Sequence, residues 1–177
     1  MKQIKWFDRK FDFAFEQNIF PSIIERLGGT SIRLNHKIGQ MATEHLTAKL
    51  DGRWSIQENI GHLIDLEPLW QGRLEDILNG VEYMRAADLE NRKTDQANHN
   101  EKEIDHLLNE FATLRQTTMN SLTALSEPQV YEYALHPRLK KPMRVMDLFL
   151  FVAEHDDHHL ARISELNAWL TTKAKND

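Results

Sequence analysis

The sequence predicts an all-α fold, a four-helix bundle with long crossover connections, on three observations. Apolar residues in the long segments recur at a period near 3.6 rather than 2. Only 7 Gly and 5 Pro interrupt the 177 residues. Four amphipathic segments, each long enough to cross a small domain, follow one another along the chain. This length suits one domain over 1–177 with a real core. Residues 1–20 carry Trp6, Phe7, Phe11, Phe13, Phe15 and Phe20 and form an aromatic-rich N-terminal arm. Such an arm either packs on the body or offers a patch to a partner.

After Pro21 a short helix over 22–27 is expected to stop at Gly28-Gly29. The first long helix then starts near Thr30, a good N-cap residue. It sets Leu34, Ile38, Met41, His45 and Ala48 on one face before the Asp51-Gly52 turn. The second helix is announced by Ser55-Ile56-Gln57-Glu58, a capping-box pattern. Ile56, Ile60, Leu63, Trp70, Leu74 and Ile77 are its stripe, and Asn79-Gly80 ends it. The third helix covers 99–125, with Ile104, Leu107, Phe111, Leu114, Thr118, Leu122 and Leu125 as its seam. Pro128, Pro137 and Pro142 bracket an irregular connection with room for one short extended piece over 130–135. The fourth helix runs from Arg144 to Leu170. Two longer connections, 81–98 and 126–143, leave room for crossovers, the first being long enough to run from one end of a bundle to the other.

A formal charge of −5 and scattered lysines and arginines argue against a nucleic-acid partner. No apolar run approaches the ~18 residues of a membrane span. Asp8, Arg9, Lys10, Asp12 and Glu16 break up any leader-like apolar stretch. The expected location is therefore cytoplasmic. Cysteine is absent, which excludes a disulfide framework, a thiolate zinc site and a cysteine nucleophile. If thiol chemistry occurs, the sulfur arrives on a small molecule.

Nine histidines are more than such a chain normally carries. His155 and His159 interrupt the apolar seam Leu148, Val152, Ile163, Leu166, Leu170 of the fourth helix. One turn apart, they lie within ~40° of each other and ~6 Å apart along the axis. Burying unpaired imidazoles costs free energy, and a metal ion that accepts both lone pairs removes that cost. His62, on the flank of the second stripe beside Leu66 and Leu69, is the best third ligand. Three imidazoles from two helices make an open site of the catalytic kind. His158 points to the seam edge and reads as a boundary residue, while His45 is a candidate fourth imidazole at the rim. His36, His99, His106 and His136 read as surface or loop residues. Among the acids, Glu58 is explained by the capping box although it precedes His62 by one turn. Asp65, one turn after His62, and Asp156, one turn before His159, are candidate acceptors for imidazole N–H groups or candidate bases.

Two other metal patterns fit poorly. His155-Asp156-Asp157-His158-His159 has zincin spacing, but Asp follows the first histidine where that chemistry needs Glu. A di-iron bundle needs two Glu-x-x-His copies, and Glu103-Ile104-Asp105-His106 stands alone.

The segments Trp54-Ser55-Ile56-Gln57-Glu58-Asn59-Ile60-Gly61-His62-Leu63 and Glu154-His155-Asp156-Asp157-His158-His159-Leu160-Ala161-Arg162-Ile163 resemble the DinB-like superfamily of metalloenzymes, which includes the bacillithiol S-transferases. The similarity extends loosely over 20–170. It implies a crossed four-helix bundle, commonly a homodimer, with a divalent ion on three histidines at the positions of His62, His155 and His159. Better-understood relatives transfer low-molecular-weight thiols such as bacillithiol or use mycothiol in isomerisation.

The resulting expectation is a metal-dependent transferase that joins a small thiol to an electrophile, the ion stabilising thiolate at neutral pH. The alternatives are a hydrolase in which the ion acidifies water, with Glu58, Asp65 or Asp156 as base, and a non-catalytic metal- or ligand-binding bundle closed by a fourth ligand such as His45. Imidazole suits Zn, Ni, Fe and Cu alike, and Zn, Ni or Fe is the expected ion. The expected partners are a small-molecule substrate and a second copy of the chain, with no nucleic acid and no membrane.

Overall fold

A computed structural model describes residues 3–13 and 15–174; positions 1, 2 and 14 of the expected arm, and 175–177, lie outside the described residues. The long helices are α1 (Phe20–Ile38), α3 (Ile56–Leu78), α5 (Ile104–Thr123) and α7 (Val145–Lys173). Short helices α2 (Thr43–Leu46), α4 (Arg92–Gln96) and α6 (Glu127–Tyr131) lie in the connections.

α3 starts where the sequence places it. The Ser55 side chain accepts from the Glu58 N–H, and the Glu58 carboxylate accepts from the Ser55 N–H. Both otherwise orphaned donors are thereby satisfied. Every residue of the predicted α3 stripe is buried. The first helix departs from expectation. It runs unbroken through Gly28-Gly29, and Thr30 is buried mid-helix instead of capping an end. Burial of Ile23, Leu27 and Leu34 on one face outweighs the roughly 1 kcal/mol that each interior glycine costs. That helix ends at Ile38, so His45 falls on the separate α2.

α1 packs against α5 and α7, and α3 also packs against α5 and α7, which sets α1 and α3 across the bundle from each other. Two apolar clusters fix the directions. One joins Phe20, Ile23 and Leu27 with Trp70, Leu74, Ile77, Leu122 and the first third of α7. The other joins Leu34 and Ile38 with Ile56, Ile60, Leu107, Phe111, Leu160 and Ile163. α1 and α7 therefore run one way, α3 and α5 the other. Because α3 and α5 are parallel neighbours, the chain must return the length of the bundle between them, and 79–103 does so. The 126–143 connection, expected to offer a second crossover, stays at one end. It carries α6 and a hairpin of β1 (Tyr133–Leu135) and β2 (Pro142–Arg144), paired Tyr133 to Arg144 and Leu135 to Pro142. The expected extended piece is thus real, and the crossover is tied to it by a parallel bridge from Tyr83 to Leu135.

Between the two apolar clusters lies a polar layer. It holds Thr30, His62, Glu67, Arg115, Thr118, His155, Asp156 and His159, all buried. No described helix is long and apolar enough to cross a membrane.

Candidate metal centre

The antiparallel pair α3 and α7 supplies three imidazoles to one point. One nitrogen each from His62, His155 and His159 lies within 4.8 Å of the other two. Nε2 of His159 stands 3.2 Å from Nε2 of His155. Two imidazole nitrogens bound at ~2.0–2.1 Å around a tetrahedral ion would be about 3.4 Å apart, so this spacing fits the donor pair of a first-row metal.

Neighbouring groups fix two of the three tautomers. Asn59 donates its Nδ2 to the Ser55 carbonyl, which turns its Oδ1 toward His159 Nδ1 at 2.8 Å. That oxygen can only accept, so His159 carries its proton on Nδ1 and bares Nε2. His62 Nδ1 meets Thr94 Oγ1 at 3.1 Å, and the same hydroxyl donates to Asp65 Oδ2 at 2.9 Å. With its proton committed to Asp65, the hydroxyl accepts from His62 Nδ1–H and leaves Nε2 bare as well. Among the described residues His155 has no such partner, and its Nδ1 is buried without a hydrogen bond. A proton on Nδ1 leaves a buried donor unmet and sets two lone pairs face to face across 3.2 Å. A proton on Nε2 instead leaves Nδ1 as the unmet acceptor. The three-nitrogen cradle has unsatisfied chemistry in either case, and a cation between the Nε2 atoms relieves the repulsion of the facing lone pairs.

Burial lowers the His62 pKa to about 4, with smaller opposing pulls from Asp65 and Asp95. Burial first, and neighbouring imidazoles second, press His155 and His159 well below the ordinary range. All three rings are neutral at pH 7, the state a metal ligand needs.

The expected carboxylates do not reach these rings. Glu58 is held in the capping box and paired with Lys49. Asp65 bonds His99, Thr94 and Lys93; its hydrogen-bonded path to His62 runs through Thr94, and its charge adds a pull on the ring weaker than burial. Asp156 faces away from the imidazoles, against Arg115 and Thr30. It is neither an orienting acceptor nor a base, because a buried guanidinium already claims both its oxygens. His45 pairs with Asn167 through Nδ1 and is not a fourth imidazole. His158 stays outside the ligand cluster, half-buried, its ring 5.4 Å from that of His159.

Two histidines read as surface or loop are buried, His99 and His136. The crossover folds His99 onto α3 at Gly61, where a Cβ would come within 2.2 Å of the imidazole. Glycine at that mid-helix position is the signal that marks such a close approach. His36 and His106 are exposed as expected. Sequence reasoning also missed the arm's role. Trp6 lays its ring 4.9 Å from that of His155, 5.0 Å from Phe151 and 5.5 Å from His158, and so roofs the centre. Trp54 covers the other side, 4.6 Å from His62. The imidazoles open into a cavity of about 830 Å³, also lined by Trp70 and Arg73.

The fold and site define a class: a crossed helical bundle that presents three neutral imidazoles to a roofed cavity. The chain belongs to the DinB superfamily, whose family model matches residues 33–163. A similar solved structure is YfiT from Bacillus subtilis, described as a probable metal-dependent hydrolase with an unusual four-helix bundle topology. The two chains are 21% identical with a TM-score of 0.78, over 92% of this chain and 94% of that one. No curated protein matches the chain.

Proposed function

We propose that this protein is a metal-dependent enzyme in which His62, His155 and His159 hold a divalent ion, and that it joins a low-molecular-weight thiol to a small electrophile. A divalent ion held there stabilises the deprotonated form of an incoming nucleophile at neutral pH. The observation that carries the reading is the convergence of three neutral imidazoles, two of them held with Nε2 bare, with no carboxylate hydrogen-bonded to them. Among the described residues, no Asp or Glu hydrogen-bonds His62, His155 or His159. A thiol, with an ordinary pKa of about 8.5, needs no base beyond the cation, whereas water starts from 15.7 and gains more from one. Asn59 and Thr94 keep the ligand nitrogens bare. Trp6 and Trp54 exclude bulk water, and the cavity orients the two substrates.

A second reading, metal-dependent hydrolysis, is favoured by the description of YfiT. One assay separates them. Metal-loaded protein is incubated with bacillithiol, mycothiol, glutathione or coenzyme A and one reactive electrophile, beside an ester substrate without thiol. Metal-dependent thiol consumption is expected; ester cleavage that ignores thiol contradicts the transferase reading in favour of the hydrolase.

A further inference from the structure

Arg73 is 2% exposed, yet among the described residues no carboxylate lies within ion-pair range of it. Burial lowers the Arg73 pKa to about 10, outweighing the pull of Asp76, which is paired with Arg85 and acts on Arg73 only from beyond that range. Every other guanidinium buried to that degree is neutralised: Arg115 has Glu67 and Asp156. Arg73 donates Nε to the Arg85 carbonyl, lies 5.5 Å from the centre of the Trp70 ring, and has no acceptor for Nη2 among the described residues. A buried unpaired charge is costly unless something completes it.

His136 Nδ1 receives the backbone N–H groups of Arg138 and Leu139, both at 3.2 Å. A nitrogen that accepts from backbone amides carries no proton, so the neutral ring bears its proton on Nε2. Burial, helped by Arg73 and Arg138, keeps that ring neutral by lowering its pKa to about 4. His136 Nε2 stands 3.5 Å from Arg73 Nη1. Both are donors, set side by side with no acceptor between them. Arg73, His136 and Arg138 all line the cavity that holds the three imidazoles. Trp70 is near both clusters, its ring 5.5 Å from the Arg73 guanidinium carbon and 5.9 Å from the His155 ring.

We propose that Arg73 Nη1 and Nη2, His136 Nε2–H and the Arg138 side chain at the rim form an oxyanion subsite, and that the substrate carries a carboxylate or phosphate bound there. Its reacting end then reaches the imidazole centre along the face of Trp70. The subsite stands on its own donors; its assignment to a substrate rests on the metal-centre reading above. Convergent donors from a guanidinium and an imidazole suit an oxyanion and reject a cation.

The test is calorimetric titration of the full chain, as purified and again after chelation, with inorganic phosphate in one arm and succinate in the other. Wild type is expected to bind at least one of the two in both preparations, and which arm responds tells phosphate from carboxylate. Arg73→Gln is expected to weaken binding at least about tenfold and Arg138→Gln several-fold. His155→Ala is expected to keep anion binding while losing metal uptake. Arg138→Gln, on an exposed turn, reports should Arg73→Gln fail to fold. No binding of either anion by wild type, or unchanged affinity in both arginine variants, overturns the subsite. Anion binding intact with no metal uptake by wild type overturns only the metal-centre reading.

Discussion

His155 and Asp156 are adjacent in the chain and both are buried in the polar layer, yet α7 turns them toward opposite sides with opposite consequences. On the Asp156 side the network is closed. Arg115 meets Glu67 Oε1 through Nη2 at 2.6 Å and Asp156 Oδ2 through Nη1 at 2.5 Å, while Thr118 satisfies the other Glu67 oxygen and Thr30 also donates to Asp156. Burial opposes the charge on Arg115, and the two carboxylates more than restore it, raising its pKa above the ordinary value. On the His155 side the network is open. The Nε2 atoms of His155 and His159 face one another at 3.2 Å, His155 Nδ1 has no partner among the described residues, and Arg73 Nη1 and His136 Nε2 sit donor against donor in the same cavity. Buried polar groups that satisfy each other specify a fold; those left unsatisfied around a cavity mark where a ligand completes them.

The largest effect should come from breaking the closed side. Arg115→Met strands two buried carboxylates and should cost about 3–5 kcal/mol in chemical denaturation, with metal binding retained in the folded fraction. A loss below 1 kcal/mol would show that the network contributes little. Acid acts on the open side. In the metal-free chain His62 and His136 titrate near 4 instead of 6.5. The unfolded chain therefore takes up protons first as pH falls, so stability is intact above about 6.5 and is lost toward about 4. His62 alone should account for about 3 kcal/mol of that loss. Melting followed from pH 7.5 to 4 checks it, and a flat profile would mean these rings are not held neutral by burial. A smaller change is expected for Thr94→Val, which removes the hydroxyl between His62 and Asp65. Metal affinity should fall about 10–100-fold with little change in fold.

The two sides also differed in how much of them could be read from sequence. The open side announced itself: two histidines one turn apart in an apolar seam, and His62 beside a tightly packed glycine, pointed to the cluster the structure assembles. The α3 cap and the α7 span were legible for the same reason, since both rest on contacts within a turn or two. The closed side was not legible. Arg115 sits four residues after Phe111 and three before Thr118, inside the α5 seam, but its two acids come from α3 and α7. Only the crossed packing brings them together, so Asp156 looked like a neighbour of the imidazoles. His99 and His136 were misread because burial of a connection depends on where it lands, which is a tertiary fact. The glycine pair in α1 failed as a stop signal because packing outweighed local propensity.

The central claim, that the open side is a metal centre built from three particular imidazoles, is tested most directly by elemental analysis of purified protein. Close to one divalent ion per chain is expected for wild type and for His158→Ala, and none for His155→Ala or His159→Ala. A metal-free wild type indifferent to chelators would contradict the claim, as would equal loss in His158→Ala.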